Sequence, residues 1–216
     1  RDIYIRKLNG SNGEFSKEVA LVHNSSVMDY LPRYANQGEN YVFVSKRTNH
    51  SEVFIANLAL PEVNRVGNFK SSIRIYDLSF SNNDSDLLVS ADNQLMIINL
   101  DMQDVVTLPI QGFNIAGASW ESESSLLLSL HNGTGWRLAR YDLKSKEITF
   151  QKSNYKGGLY SASQETYYFI SQIDNRVFIS QSLDSQASPL DVSCSPAFIG
   201  RKLNLKATNK GPICQT

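Results

Sequence analysis

Short apolar runs recur along the chain at nearly constant spacing, each closed by serine and followed by a polar connector and a second apolar run. The first series is VFVS ending at Ser45, LLVS at Ser90, LLLS at Ser129 and YFIS at Ser171, with intervals of 45, 39 and 42 residues. The second is EVFIANL to Leu58, QLMIINL to Leu100, WRLARYDL to Leu143 and RVFISQSL to Leu183, with intervals of 42, 43 and 40. An aromatic residue precedes the first run at Tyr34, Phe80 and Trp120, while the fourth copy has Ala162 in that place. Runs of this length and composition, cut by Asn, Asp, Gly and Ser, are strand and turn signals. No long apolar stretch has helical spacing, so the chain is predicted to be all-β.

Counting a short run before the aromatic and a weaker segment such as QDVVTLP or KEITFQK at the end, each unit holds four strands. Four strands in about 40 residues is the arithmetic of a β-propeller blade. The inner strands of a blade are covered on both faces by neighbouring blades, so they lose alternation and become continuously apolar, as YVFV and LLLSL are.

The expected organisation is a single propeller over 1–216, with a half blade at 1–24, blades at 25–66, 67–107, 108–152 and 153–194, and closing strands or tail at 195–216. DIYIRKL matches the third strand of a blade and FSKEVALV the fourth. The tail AFIGRKLNLKAT is a candidate for the two missing strands. That gives either a five-bladed closed ring or an arc of a larger propeller, with the ring slightly favoured by length.

The segment Leu31 to Leu58 resembles the WD40-like repeat of the TolB type. Pro32, Tyr34, Gly38, Phe43, Ser45, Arg47 and Leu58 occupy the places of its pattern, with Asn36 and Gln37 where its turn has Asp. The copies LSFSNNDSDLLVS and ASWESESSLLLSL keep the aromatic but lose the Pro and Gly. The resemblance runs from about residue 29 to 185 and implies a propeller of a kind that commonly serves as a periplasmic or extracytoplasmic interaction domain. One setting it implies is the part behind the membrane in bacterial regulators similar to the CadC and ToxR family, with a winged helix and a membrane tether upstream. Another is a propeller accompanying a serine peptidase.

Composition narrows the chemistry. With 41% hydrophobic and 19% charged residues the chain can bury a core, and 21 basic against 21 acidic residues leave no broad positive field for nucleic acid. The longest apolar stretches, such as LLLSL at 126–130, fall far short of the roughly 20 residues of a membrane-spanning helix. The chain opens in mid-strand at RDIYIRKL, from which upstream sequence is inferred. Cys194 and Cys214 can close a disulfide in an oxidising compartment, worth about 3 kcal/mol in the chain-entropy model, or stand as two free thiols in a reducing one. No CxxC pair or Cys/His cluster occurs, and no metal or cofactor is expected.

Candidate chemistry is sparse. His23, His50 and His131 are separated by whole units, and solvated loop positions are their ordinary reading. No GxSxG elbow, HExxH pair or P-loop is present. Asp29, Asp77 and Glu121, placed near the starts of innermost strands, are the carboxylates a glycoside hydrolase would need, with solvated turns as the plainer reading. The expected binding surface is the set of loops between second and third strands, carrying Arg47 and His50, then Asp92, then His131 and Trp136, then Asp174 and Arg176. Trp136, after the NGTG turn, either anchors a partner or folds back on a neighbouring blade. N-x-[ST] triplets at Asn9, Asn24, Asn49, Asn83 and Asn132 are at the level expected by chance in a chain so rich in Asn and Ser. The expected function is non-catalytic binding of a protein or small-molecule signal by an extracytoplasmic sensor domain of a membrane-anchored regulator, without direct nucleic-acid contact. The alternative is an accessory or catalytic propeller of a peptidase or glycoside hydrolase.

Overall fold

The computed structural model describes residues 3–5, 17–18, 20–23, 25–67, 69, 73–92, 94–153, 155–161, 166–173, 176–181, 189–190, 204–208 and 211–215, with side chains as far as residue 151, Val22 excepted. Among the described residues every regular element is a strand. A short hairpin, β1 (Ile3–Ile5) and β2 (Ala20–His23), precedes four antiparallel sheets of four strands each. The first is β3 (Asp29–Tyr34), β4 (Asn40–Ser45), β5 (Glu52–Asn57) and β6 (Val63–Val66). The second is β7 (Ile75–Phe80), β8 (Asp86–Ala91), β9 (Gln94–Asn99) and β10 (Val105–Leu108), and the third β11 (Asn114–Trp120), β12 (Ser125–His131), β13 (Trp136–Asp142) and β14 (Ile148–Ser153). The fourth is β15 (Tyr155–Ser161), β16 (Thr166–Ile173), β17 (Arg176–Gln181) and β18 (Pro189–Leu190), followed by a second hairpin of β19 (Asn204–Thr208) and β20 (Gly211–Gln215).

Each sheet pairs its strands in chain order, and the first strands stand side by side: β3 against β7, β7 against β11, β11 against β15 and β15 against β19. This is a β-propeller, and it is an open arc. β19 takes the place of a first strand in a further blade, and β1 packs near β3, but among the described residues the two hairpins form separate two-stranded sheets and do not join into one closing blade.

The burial follows the runs. β4, β8 and β12 are buried along nearly their whole length, while the outer strands β6 and β10 are largely exposed. One cluster unites Val42 and Val44 of the first blade with Leu78, Leu87 and Val89 of the second. Another unites Leu88 and Leu95 of the second with Ile115, Leu126 and Leu128 of the third. Leu87 and Leu88, adjacent in β8, thus face opposite neighbours, as the strand period of two requires. Fully burying each such side chain is worth about 1.5–3 kcal/mol, which is what holds the blades face to face.

The serines that mark the repeat are not all equivalent. Tyr34 pairs with Tyr41 and Phe80 with Leu87, so Ser45 lies four residues past its anchor and Ser90 three; Ser129 also lies three past Leu126, the partner of Trp120. Ser45 therefore points to the opposite face of its blade from Ser90 and Ser129. Turn length adds to the uneven spacing. The first two β-turns run from Ala35 to Asn40 and Ser81 to Asp86, and the third is one residue shorter, from Glu121 to Ser125.

Every first strand carries a bulge, at Tyr30/Arg33, Ile75/Asp77, Ile115/Gly117 and Tyr155/Gly158. A bulge sharpens local twist and re-aims side chains at an edge, and here it recurs where the blades converge.

Candidate functional site

The antiparallel order puts the connectors between second and third strands at one end of the arc, together with the start of each first strand. At that end Asp29 opens β3, and its side chain is 0% exposed. Ser45, last in β4, accepts hydrogen bonds from the Arg47 backbone N–H (3.3 Å) and from its Nε (3.0 Å), which turns the arginine back over its own blade. The guanidinium lies 4.4 Å from the Phe54 ring centre and 5.5 Å from that of Phe43, both cation–π distances.

His23, at the end of β2, closes the other side. Its ring packs on Phe43 with 4.7 Å between centres, and its Nε2 lies 2.8 Å from Arg47 Nη2. Arginine has only donors, so in this contact Nε2 stands as the acceptor. Asp29 Oδ2 is 3.4 Å from His23 Nε2 and Oδ1 is 3.7 Å from Arg47 Nη2, yet neither carboxylate oxygen accepts a hydrogen bond from the described residues. Tyr41, stacked on Phe43 at 5.9 Å, has its phenol pushed up, first by burial; Arg47 opposes this and Asp29 adds to it. The result is a buried negative charge beneath an aromatic ladder, capped by a cation from the same blade.

The other predicted residues are placed as follows. His50 is exposed in the Lys46–Ser51 connector. Asp92 shapes its turn at φ 33°, with Oδ2 accepting from the Arg74 N–H at 2.7 Å and Oδ1 from the Tyr76 hydroxyl at 3.4 Å. His131 ends β12 instead of standing in a loop. It is paired across the strands with Trp136, their rings 4.9 Å apart, and its Nδ1 accepts from the Gly133 N–H at 3.2 Å. The half-buried Trp136 ring thus packs on a residue of its own blade. Arg47, Asp92 and the His131–Trp136 pair share one end of three consecutive blades, and of these residues it is Arg47 that the structure brings against Asp29. Asp174 and Cys194 lie outside the described residues; Arg176 begins β17 and Cys214 lies in β20, their side chains outside the description.

The three carboxylates diverge. Glu121 follows β11, at the opposite end of the arc from Asp29, because the chain has already run the length of the strand. It is bound by Arg140 through both oxygens, Nε and Nη2 each at 2.5 Å, and accepts from the Ser125 hydroxyl at 2.8 Å. Asp77 lies on the inner strand of the second blade, where Arg33 of the first reaches it at 2.7 Å and also donates from Nε to the Leu78 carbonyl at 3.1 Å. A Cβ on Gly117, at the matching place in the third blade, would stand 3.0 Å from Asp77 Oδ2. Each of the three carboxylates is thus paired with a cation.

Sequence reasoning took His23 for a solvated loop position, whereas it ends β2 against Asp29, and it passed over Arg33; their partners lie 6 and 44 residues away. It also passed over Asp84, although NND in a turn was a legible signal. Asp84 sits at φ 60° in the turn place that Gly38 (φ 75°) holds in the first blade. There its carboxylate accepts from Asn36 N and Nδ2, both at 2.9 Å, and from Gln37 N at 2.7 Å.

No family model matches the sequence, and no curated protein matches it. Solved structures do. TolB from Acinetobacter baumannii superposes with a TM-score of 0.68 at 17% identity over 83% of this chain and 47% of that one. A chain of a nidogen/laminin complex gives 0.66 at 10% over 82% and 70%, and an oligogalacturonate lyase from Vibrio parahaemolyticus gives 0.59 at 10% over 87% and 59%. The chain spans about half the length of that TolB chain. At these identities the likeness establishes the propeller fold.

Proposed function

We propose that the chain is a non-catalytic binding module that receives a protein or small-molecule signal on the end of the arc carrying Arg47, His50, Asp92, His131 and Trp136. The observation that carries this reading is the engagement of the candidate acids: Asp29 faces His23 and Arg47, Asp77 is held by Arg33 and Glu121 by Arg140. The Asp77 and Glu121 pairs serve packing between blades and between strands, and they leave the end that carries Asp29 and the loops as the chemically varied surface on a rigid scaffold. The finer setting we propose is the extracytoplasmic sensor portion of a membrane-anchored bacterial regulator, tethered upstream and without direct nucleic-acid contact, with Cys194 and Cys214 joined. The TolB-type repeat in Leu31–Leu58 and the structural likeness to TolB support it. Reading the encoding gene upstream of Arg1 tests it. A winged helix followed by a membrane span is the expected result, and an attached hydrolase domain would replace this reading with that of an accessory propeller.

A further inference from the structure

We infer that the pocket formed by Asp29, Phe43, Phe54 and His23 is a receptor for a guanidinium or ammonium side chain of a partner peptide, and that Arg47 is its resident stand-in. The Asp29 side chain is wholly buried and neither oxygen accepts a hydrogen bond from the described residues, an arrangement that is costly unless a cation completes it. Arg47 completes it poorly. Its Nε is committed to Ser45 and its Nη2 to His23, so it stands 3.7 Å from Asp29, outside hydrogen-bond reach. A guanidinium entering fork-first gains two charge-assisted bonds to the carboxylate that the resident does not make, while keeping the faces of Phe43 and Phe54.

The residue that covers the acid belongs to a connector and not to a strand. Residues 46–50 are all exposed, Asn49 is in the left-handed region at φ 67°, and the Arg47 side chain is 29% exposed while the acid beneath it is not exposed at all. Arg47 lies outside the pairings of β4 and β5, which end at Ser45 and begin at Glu52, so its displacement by an entering cation breaks no strand pair.

This inference rests on the binding-module reading and is separable from it by titration calorimetry with N-acetyl-arginine methylamide as probe. Arg47→Ala is expected to bind the probe about tenfold or more tighter than the unaltered chain, the scale of one charge-assisted hydrogen bond regained without competition. Adding Asp29→Asn or, should that variant not fold, Phe54→Leu is expected to return the affinity to the unaltered value or below. The citrulline analogue, of equal shape and no charge, is expected not to bind. In the unaltered chain the probe displaces Arg47 and shifts its Nε resonance. Equal affinity of Arg47→Ala and the unaltered chain, equal binding of the citrulline analogue, or an unmoved Arg47 resonance at probe saturation would overturn the pocket. A signal partner whose binding falls with Trp136→Ala while the probe data fail would leave the module reading standing and remove the pocket alone.

Discussion

Replacing Asp84 is expected to loosen the first two blades from each other, because its carboxylate is the acceptor for three donors of the preceding turn at 2.7–2.9 Å. The bonds are exposed and water replaces some of them, so about 0.5–1 kcal/mol each is the appropriate scale, or roughly 1.5–3 kcal/mol together. Asp84→Ala also forces a Cβ-bearing residue without a local side-chain bond into φ 60°, adding roughly 1 kcal/mol or more. Asp84→Gly relieves the backbone while losing the same bonds, so about 1.5–3 kcal/mol is expected for Gly and about 2.5–4 kcal/mol for Ala. Asp84→Asn keeps one acceptor for Asn36 but turns a donor toward Gln37, at a cost of about 1–2 kcal/mol. Urea unfolding followed by tryptophan fluorescence measures these, and Trp120, whose Nε1 donates to the Ser79 carbonyl across the same pair of inner strands as Gly117 and Asp77, lies in the neighbouring blade. The Ala and Gly losses should shrink when Asn36 is already Ala, since a shared partner makes them non-additive. An Asp84→Ala midpoint within about 0.5 kcal/mol of the unaltered protein would refute the clamp, because surface changes without such a role fall in that range.

Among the described residues the buried Tyr141 hydroxyl has no hydrogen-bond partner, so Tyr141→Phe should leave stability unchanged or raise it by about 1 kcal/mol, and a loss of that size in thermal melts would contradict the packing. Burial also raises the Tyr41 and Tyr141 phenols, so the folded chain keeps their protons longer than the unfolded one. Their contribution is complete below the ordinary tyrosine value near 10 and is lost as pH rises through the raised values; alkaline unfolding should be less steep in Tyr141→Phe. Gly117→Ala should push the Asp77 carboxylate away from Arg33 and lower the melting temperature, and the effect should largely vanish in an Asp77→Ala background. Arg140→Met takes the cation from buried Glu121, leaving it the Ser125 hydroxyl, and should cost about 3 kcal/mol, the low end for a partly exposed pair, with Glu121→Met beside it recovering most of the loss in urea titrations.

Much of this fold is written in the apolar runs, because a strand covered on both faces has no polar positions to alternate. Tyr41–Val44, Leu87–Val89 and Leu126–Leu130 show it plainly. The register is not, since it depends on backbone events that leave faint traces: a bulge in each first strand, and one residue fewer in the Glu121–Ser125 turn. Counting serines hid both, and merged Ser45 with Ser90 although they face opposite ways. The site was half legible. Arg47 in a connector and Asp29 at a strand start are visible as residue types, but their meeting over Phe43 and Phe54 requires the turn set by Ser45. His23 joins them from a hairpin whose packing the repeat did not specify. Asp84 replaces the glycine of the repeat by adopting its left-handed backbone, so the loss of Gly was a substitution with a new bond and not a decay of the turn.

Radial stacking of four-stranded sheets is the claim on which the rest stands, and through-space contacts between methyl groups test it most directly. In protein labelled at Val and Leu methyls, Val89 should show contacts to Val42 or Val44 of the first blade, while its neighbour Leu88 shows contacts to Leu126 or Leu128 of the third. A spectrum in which Leu87, Leu88 and Val89 all contact one neighbouring sheet, or in which Leu88 contacts water instead, would contradict it.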